Sequence, residues 1–449
     1  MKRYRLTVTI FLLVIFFLNF NRNVQAQAGM PDPNFGTNGQ VITSFAPTYN
    51  LAKLNDIALQ ADGKIVAAGI ALDNSPPTVI RLQLVRYNPD GSLDQAFGQN
   101  GATSFPSIFF TEATAIAVQT DGKILVAGSI YMEPFAFALA RYNTDGTLDN
   151  SFGQNGLVLT DFTGFEERSQ GRVCEILLTP DNKITVVGTK QFSYFLDDFT
   201  IFPRQVFAMV RYNQDGSLDE SFGHFGKTLT EISPNWNVAD SAALQSDGKI
   251  LVLGTSVWIK SANPLTSFTK ATMVRYNSNG SIDTSFADNG VLSFAVNSLN
   301  SFITAPNRQI LLYIRGILQL YNEDGSFNRQ ILAGYVPLSN GQYFNARSFA
   351  RQADGKLVAL GNIIANNNLV EVAFARYHAD GQLDASFGNN GIARREAVLS
   401  LDSEKIIIQP DGKILAAGNV YYRFGNSIEF TLIRHLGDAP ANGRKNLKR

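Results

Sequence analysis

Beyond its N-terminal segment the chain alternates short apolar runs with small clusters of turn residues. No window there carries a helical period. One stretch shows the pattern in full: "AIAVQ" (Ala115–Gln119), "KILVAG" (Lys123–Gly128), "FALARYN" (Phe137–Asn143) and "GLVLTDF" (Gly156–Phe162). Each run is short, rich in β-branched and aromatic residues, and bounded by Gly, Asp or Asn, which predicts four strands, the first two buried on both faces.

The same four-run unit returns along the chain. Its first landmark, a DGK-type turn, stands at Asp62, Asp121, Asp181, Asp247, Asn307, Asp354 and Asp411, spaced by 59, 60, 66, 60, 47 and 57 residues. Its second, "RYNxDGSLDxSFG", starts at Arg86, Arg141, Arg211, Arg275 and Arg376, with a decayed copy at Leu320 and a truncated one at Arg434. All-β units of this length cannot bury both faces alone and must stack on neighbours. Seven four-stranded antiparallel units around an axis predict an all-β, seven-bladed β-propeller.

The turns carry their own chemistry. In "NPDG" (Asn88–Gly91) the order of Asn, Pro, Asp and Gly suits a type I turn followed by a left-handed residue. The oxygens at Asn143, Asp145, Thr147 and Asp149 also resemble a calcium loop, but an EF-hand loop needs a glycine after the third ligand and an acid at position twelve. Here the twelfth positions are Gln99, Gln154 and His224, so a structural turn is favoured over calcium, and no metal ligand set or cofactor is expected.

The pair of segments "AVQTDGKILVAG" and "FALARYNTDGTLDNSFG" resembles the delta-60 repeat of bacterial exported proteins and, more distantly, the blades of NHL-type propellers. The likeness spans residues 30–436 and is weakest in the fifth unit, Asn300–Tyr335. It implies a propeller-like surface or extracellular protein and no catalytic residues to carry over.

Composition agrees with export. Lys2, Arg3 and Arg5 precede the apolar run "LTVTIFLLVIFFLNF", and Ala26 and Ala28 fit a signal-peptidase site, so residues 1–28 are expected to be a signal peptide. The propeller is then placed at 29–436 and a disordered basic tail at 437–449. Lys+Arg and Asp+Glu are both 38, and loss of the leader leaves a mildly acidic chain with no basic stripe for nucleic acid. A secreted, cell-surface or periplasmic monomer with no membrane span after cleavage is the expectation. Cys174 is the only cysteine, so the fold needs no disulfide and has no internal one.

A meander places both tight turns of every unit on one face of the ring and the long, variable connections on the other, where binding is usually built. Those connections hold Tyr194 and Phe195 in "TKQFSYFLDDFTIFPRQ", with Trp236 and Trp258 around the fourth unit. Beside them, at the channel mouth, the first strands bring the polar and non-repeating Asp56, Glu175, Asp240, Arg347 and Glu404. A non-catalytic module that binds a protein or carbohydrate on this face is the leading reading. The alternative is a metal-dependent, lactonase-type enzyme working at the channel mouth, by analogy of fold alone.

Each "RYN…SLD" hairpin also separates an arginine from an aspartate by eight residues, as in Arg86 with Asp94 and Arg141 with Asp149, close enough to pair across a hairpin. The truncated seventh unit keeps Arg434, and "PDPNFGTNGQVITSF" near the N-terminus aligns Asp32, Phe35 and Gly36 with "LDxSFG". Residues 32–45 are therefore expected to supply the outer strand of the last blade, with Asp32 meeting Arg434.

Overall fold

The computed structural model describes residues 27–438 except 45–50, 74–78, 107–111, 131–134, 163–167, 198–199, 263–264, 296–300, 305–307, 315, 333–334, 366–367, 396–401 and 422–427. It is all-β, with seven blades of four antiparallel strands in a ring. The apolar runs become the inner strands: Leu51–Leu59, Glu112–Val118, Arg168–Leu178, Trp236–Leu244, Ser301–Thr304, Tyr343–Arg351 and Asp402–Ile408 begin blades 1 to 7. A two-residue strand, Val336–Pro337, adds to the inner edge of blade 6.

The apolar core is distributed between the blades. Seven buried clusters lie at the seven interfaces between consecutive blades, including one of Phe35, Leu54, Leu415 and Phe430 that joins blade 7 to blade 1. A blade of this size has no interior of its own, so each strand buries its side chains against a neighbouring sheet.

The repeat motif assembles one polar node in every blade but the fifth. In blade 2, Arg141 Nε donates to Asp149 Oδ2 at 2.6 Å, the Arg141 guanidinium lies 4.4 Å over the Phe152 ring, and Lys123 Nζ reaches the same oxygen at 2.9 Å. Ser151 donates to the other carboxylate oxygen. Burial opposes the charged carboxylate, but the bonds from Lys123, Ser151 and Arg141 outweigh it and hold Asp149 well below the usual range. The arginine and aspartate share the node with the lysine of the DGK turn, which the spacing argument did not include.

These nodes also reach across interfaces. Arg86, Arg141, Arg211 and Arg275 donate from Nη1 to backbone carbonyls in the next blade's turn, at Thr144, Gln214, Ser278 and Glu323. The glycine of each "SFG" adds a backbone bond to the same turn: Gly98 to Asp145 at 2.7 Å and Gly153 to Asp215 at 2.9 Å. In blade 5 the pair is replaced by Leu320, which is buried, and Asn328, which donates to Asn322.

The turns use their own oxygens. Asp145 Oδ1 accepts from the Thr147 amide at 2.9 Å and the Thr147 hydroxyl at 2.6 Å, and Gly146 adopts φ +88°, the left-handed conformation that glycine takes without strain.

The two ends of the chain meet in blade 7. Gln40–Thr43 pairs antiparallel with Ile428–His435, in register from Gln40 with Ile433 to Thr43 with Phe430. The outer strand is thus shorter than residues 32–45, because the segment before it forms the turn equivalent to "LDxSFGxNG". Asp32, fully buried, accepts from Arg434 Nε at 2.8 Å, and Arg434 stacks on Phe35 at 4.3 Å. The packed chain reaches slightly past both expected boundaries. The Ala28 carbonyl accepts from Gly388 N at 2.8 Å, and Asp438 binds Lys356 at 2.8 Å and Arg376 at 3.0 Å. Buried His435 places Nδ1 2.7 Å from the Gly29 carbonyl, which can only accept, so Nδ1 carries the proton. Burial pushes this imidazole down to about 4.

Asp32→Asn leaves Arg434 buried without its counter-charge, and a broken buried pair costs about 3 kcal/mol. Urea denaturation should show the midpoint falling accordingly. An unchanged midpoint would mean that this contact does not hold the ends together.

Candidate functional site

The inner strands of six blades share one irregularity. Their register against the second strand slips at Asn55, Thr114, Cys174, Asp240 and Arg347, and over Ser403–Glu404 in blade 7. A β-bulge re-aims the side chains beside it, and the polar, non-repeating positions of the sequence sit at these slips. The second strand answers with glycine. A Cβ on Gly254 would stand 2.0 Å from the Val238 carbonyl oxygen, so the bulged backbone occupies the space of a side chain.

The bulges bring three blades together around one ammonium group. Lys405 Nζ, from blade 7, lies 3.1 Å from Asp56 Oδ1 of blade 1 and 4.0 Å from Glu175 Oε1 of blade 3. Asp56 is buried, and its other oxygen accepts from the Ile116 amide of blade 2 at 3.1 Å. Asn55 donates to the Ala113 carbonyl at 2.7 Å, a second link between blades 1 and 2.

Burial pushes Glu175 up to about 7; the Lys405 ammonium opposes this and the Asp56 charge adds to it. The Asp56 charge, with Glu175, holds Lys405 above its usual range against desolvation. Burial likewise raises the Cys174 thiol, aided by Glu175 and Asp240, so this thiol stays protonated and is a poor nucleophile.

The other expected residues are placed separately. Asp240 is exposed, 3.8 Å from Arg172 Nη1, and accepts from Thr255 Oγ1 at 3.3 Å. Arg347 is exposed on blade 6, where its charge acts on Tyr313. Glu404 lies in the strand Asp402–Ile408, and its side chain is outside the described residues, as are those of Tyr194 and Phe195. The structure therefore groups Asp56 and Glu175. Lys405 was legible only as one more polar residue at an equivalent position, and Arg172 gave no signal.

The aromatic segments expected as loops are strands. Ile184–Asp197 pairs with Thr200–Tyr212 as far as Asp197 with Thr200, and Ile250–Ala262 pairs with Leu265–Tyr276 as far as Ala262 with Leu265. Tyr194, Phe195 and Trp258 lie in these ladders, and Trp236 opens the inner strand of blade 4 opposite Val257. Trp258 stands at the far end of its strand from the tight turn. The tight turns touch one another across blades, Thr120 to Asn182 at 3.3 Å and Gln245 to Arg308 at 3.2 Å, so they share the opposite face.

Trp258 stacks flat on its cross-strand partner Phe268, with centroids 5.1 Å apart and planes at 3°, and Lys270 lies 5.2 Å over the indole. Phe192, on blade 3, lies under Lys190 and Arg204 at 4.9 and 5.9 Å. Gln205 N donates to the Asn235 carbonyl, and Asn237 Nδ2 donates to the Gln205 carbonyl, tying blade 4 to the blade 3 hairpin. Among the described residues no group of three or more His, Cys, Asp or Glu could hold a metal ion.

A family model described as "Domain of unknown function (DUF5122) beta-propeller" matches residues 60–97, 119–152, 198–222, 245–286, 352–387 and 409–434. These stretches fall in every unit except the fifth, and with the seven blades they support a propeller-repeat family. No curated protein matches the chain.

Among solved structures, the chain is similar to a protein of unknown function from Dyadobacter fermentans, at 12% identity and TM-score 0.43, covering 90% of this chain and 100% of that one. It is also similar to the polysaccharide lyase Uly1 (11%, TM-score 0.40, 88% and 91%) and to a glucose dehydrogenase (11%, TM-score 0.35, 71% and 95%).

The raised Glu175 carboxyl sets a sign for pH. An acid whose folded pKa lies above its unfolded value contributes stability below about 4.5, and that stability is lost as pH rises to about 7. Glu175→Gln should remove this falling component from the stability profile measured between those values. A variant with the same slope as the parent chain would show that Glu175 does not titrate there.

Proposed function

We propose that this chain is an exported, non-catalytic binding or scaffold propeller of the delta-60 type, acting as a monomer and taking a protein or carbohydrate partner on its long-connection face. The observation that carries the reading is the extended hairpin pair of blades 3 and 4. The second strand is 14 residues long in blade 3 and 13 in blade 4, against 9 in blades 1 and 6 and 8 in blade 7. At about 3.4 Å per residue the excess projects beyond the ordinary blade edge by about 15 Å.

At the base of this projection stand Trp258, Phe268 and Phe192 with Lys270 and Arg204 among them. Large, rigid aromatic surfaces give contact area at low entropic cost, and the cations suit a partner with acidic or π-rich groups. Fixed hairpins on a closed ring need little reorganisation on binding.

The channel mouth favours binding over metal-dependent hydrolysis for a positive reason. The Lys405 ammonium already stands between Asp56 and Glu175, where a divalent cation would draw on both carboxylates, and a metal would have to displace it. In the DG turns one carboxylate oxygen is committed to local donors, as Asp145 Oδ1 is to the Thr147 amide and hydroxyl, which supports turns held without calcium.

Two measurements test the reading. Capture of a partner from the cell-surface fraction by the immobilised chain should fall about tenfold or more for Trp258→Ala and for Phe268→Ala. Equal capture by both variants and the parent chain would move the binding surface elsewhere. Melting with and without a calcium chelator should give midpoints within about 1 °C, since only a ligand bound to the folded state raises stability. A drop of many degrees would show that calcium holds the turns.

A further inference from the structure

The two projecting hairpins differ along their edges. A ribbon that leaves its sheet presents a row of backbone N–H and C=O groups on each side, and such rows are normally covered because they template pairing with another chain. Successive residues of a strand aim these groups alternately to its two sides, so each edge can be followed residue by residue.

In blade 3 the inner strand runs up beside the hairpin as far as Arg168 with Ser193. On the outer side the Arg211 amide donates to the Gly226 carbonyl, so every second residue from Arg211 back to Gln205 and Pro203 aims outward. The Gln205 amide is taken by the Asn235 carbonyl at 3.0 Å, and the Gln205 carbonyl by Asn237 Nδ2 at 2.9 Å. Pro203 brings no N–H at all.

In blade 4 the inner side is covered as well. Ser233 Oγ donates to the Val257 carbonyl at 2.8 Å, and the Ile259 amide donates to Asn235 Oδ1 at 2.9 Å. The outer side is different. The Arg275 amide donates outward to the Gly290 carbonyl, and the same alternation aims Thr269 and Ser267 outward, at the positions of Gln205 and Pro203 in blade 3. Pairing with the outer strand ends at Ala271 with Phe294, so Leu265–Lys270 has no strand on that side among the described residues. Nor does any described residue bond to the outward backbone groups of Thr269 and Ser267, and both Ser267 and Phe268 are exposed.

We propose that this edge of blade 4 receives a short extended peptide of a partner protein as an added strand. The inference rests on the binding role proposed above for these hairpins and narrows its partner to a protein segment. Backbone donors and acceptors at the strand repeat are matched by another extended backbone, and alternate side chains then set specificity. Phe268 and Lys270 share the face of the strand that carries the stack with Trp258. The peptide therefore places an apolar or aromatic residue opposite Phe268 and an acidic one opposite Lys270. An edge of about 20 Å buries far less than the ~1,600 Å² of a stable contact between folded chains, which favours a segment over a second copy of this chain.

The test is selection of binders to the full chain from a library of random eight-residue peptides, with the best binder then titrated by fluorescence anisotropy. An alternating sequence with an apolar and an acidic residue two apart is expected, with Kd on the order of 100 μM or tighter. Ser267→Pro copies the proline that blade 3 carries at the equivalent position. It should melt like the parent chain and weaken binding about tenfold, through the lost amide donor. Methylating alternate backbone nitrogens of the peptide removes the matching donors without touching either fold or side chains, and should weaken binding at least as much.

No enriched peptide, or binding that survives both changes undiminished, overturns the added strand. Partner capture that falls in Trp258→Ala but not in Ser267→Pro also overturns it, while leaving the hairpin face as the binding surface. A parent chain that sediments as a dimer, and becomes a monomer on Ser267→Pro, gives the edge to a second copy and overturns it likewise.

Discussion

A buried arginine that cannot be satisfied within its own blade is the constraint on which the rest of the ring depends. Taking a guanidinium out of water is tolerable only if a carboxylate and further acceptors meet its donors. In every node the aspartate takes Nε and the phenylalanine covers the planar face, and in all but that of Arg376 Nη1 donates to the next blade's turn. A blade folded alone would expose that donor and one side of its apolar sheet. Both deficits are met by the same neighbour, so stability is a property of adjacent pairs. The Asp32–Arg434 node, whose Nη1 donates to the Pro89 carbonyl in blade 1, repeats this arrangement where the chain's two ends come together.

The same arrangement separates scaffold from surface. All nodes and tight turns lie on one face, and the strand ends that leave it are fixed in direction. On the other face the connections are free to vary in length. Two of them have grown into paired hairpins without disturbing a node. The inner-strand bulges work at a finer scale: they turn individual polar side chains, such as Asp56, towards neighbouring blades. The glycines opposite them make room for the slipped backbone. A rigid ring with variation confined to chosen positions is a suitable platform for recognition.

Blade 5 shows how much of this pattern is dispensable locally. It lost arginine and aspartate together, and Leu320 is buried among apolar neighbours on the interface with blade 6. Its turn still receives the bond from Arg275 through the Glu323 carbonyl. An isolated arginine or aspartate there would have been left buried and unmatched, so joint replacement is the form that the physics permits.

Much of the fold was legible in the residues themselves. The seven units, their four strands and their turns follow from short-range patterns, because strand periodicity and left-handed glycine positions are decided within a few residues. The eight-residue spacing of Arg141 and Asp149 is equally local, since one hairpin connects them. Lys123 was not legible as their partner: it lies 26 residues from Asp149, and they meet only because the meander folds two turns onto one face.

The aromatic stretch around Tyr194 and Phe195 looked like a loop because its pairing depends on cross-strand register, which composition does not express. Lys405 between Asp56 and Glu175 is more remote still. Those three residues come from blades 7, 1 and 3, and their meeting depends on ring closure and on where each inner strand slips. Local sequence determined which elements form, through backbone preference and apolar period. Only the closed ring decided which charges face one another, because the distances between them are set by the axis that the chain surrounds.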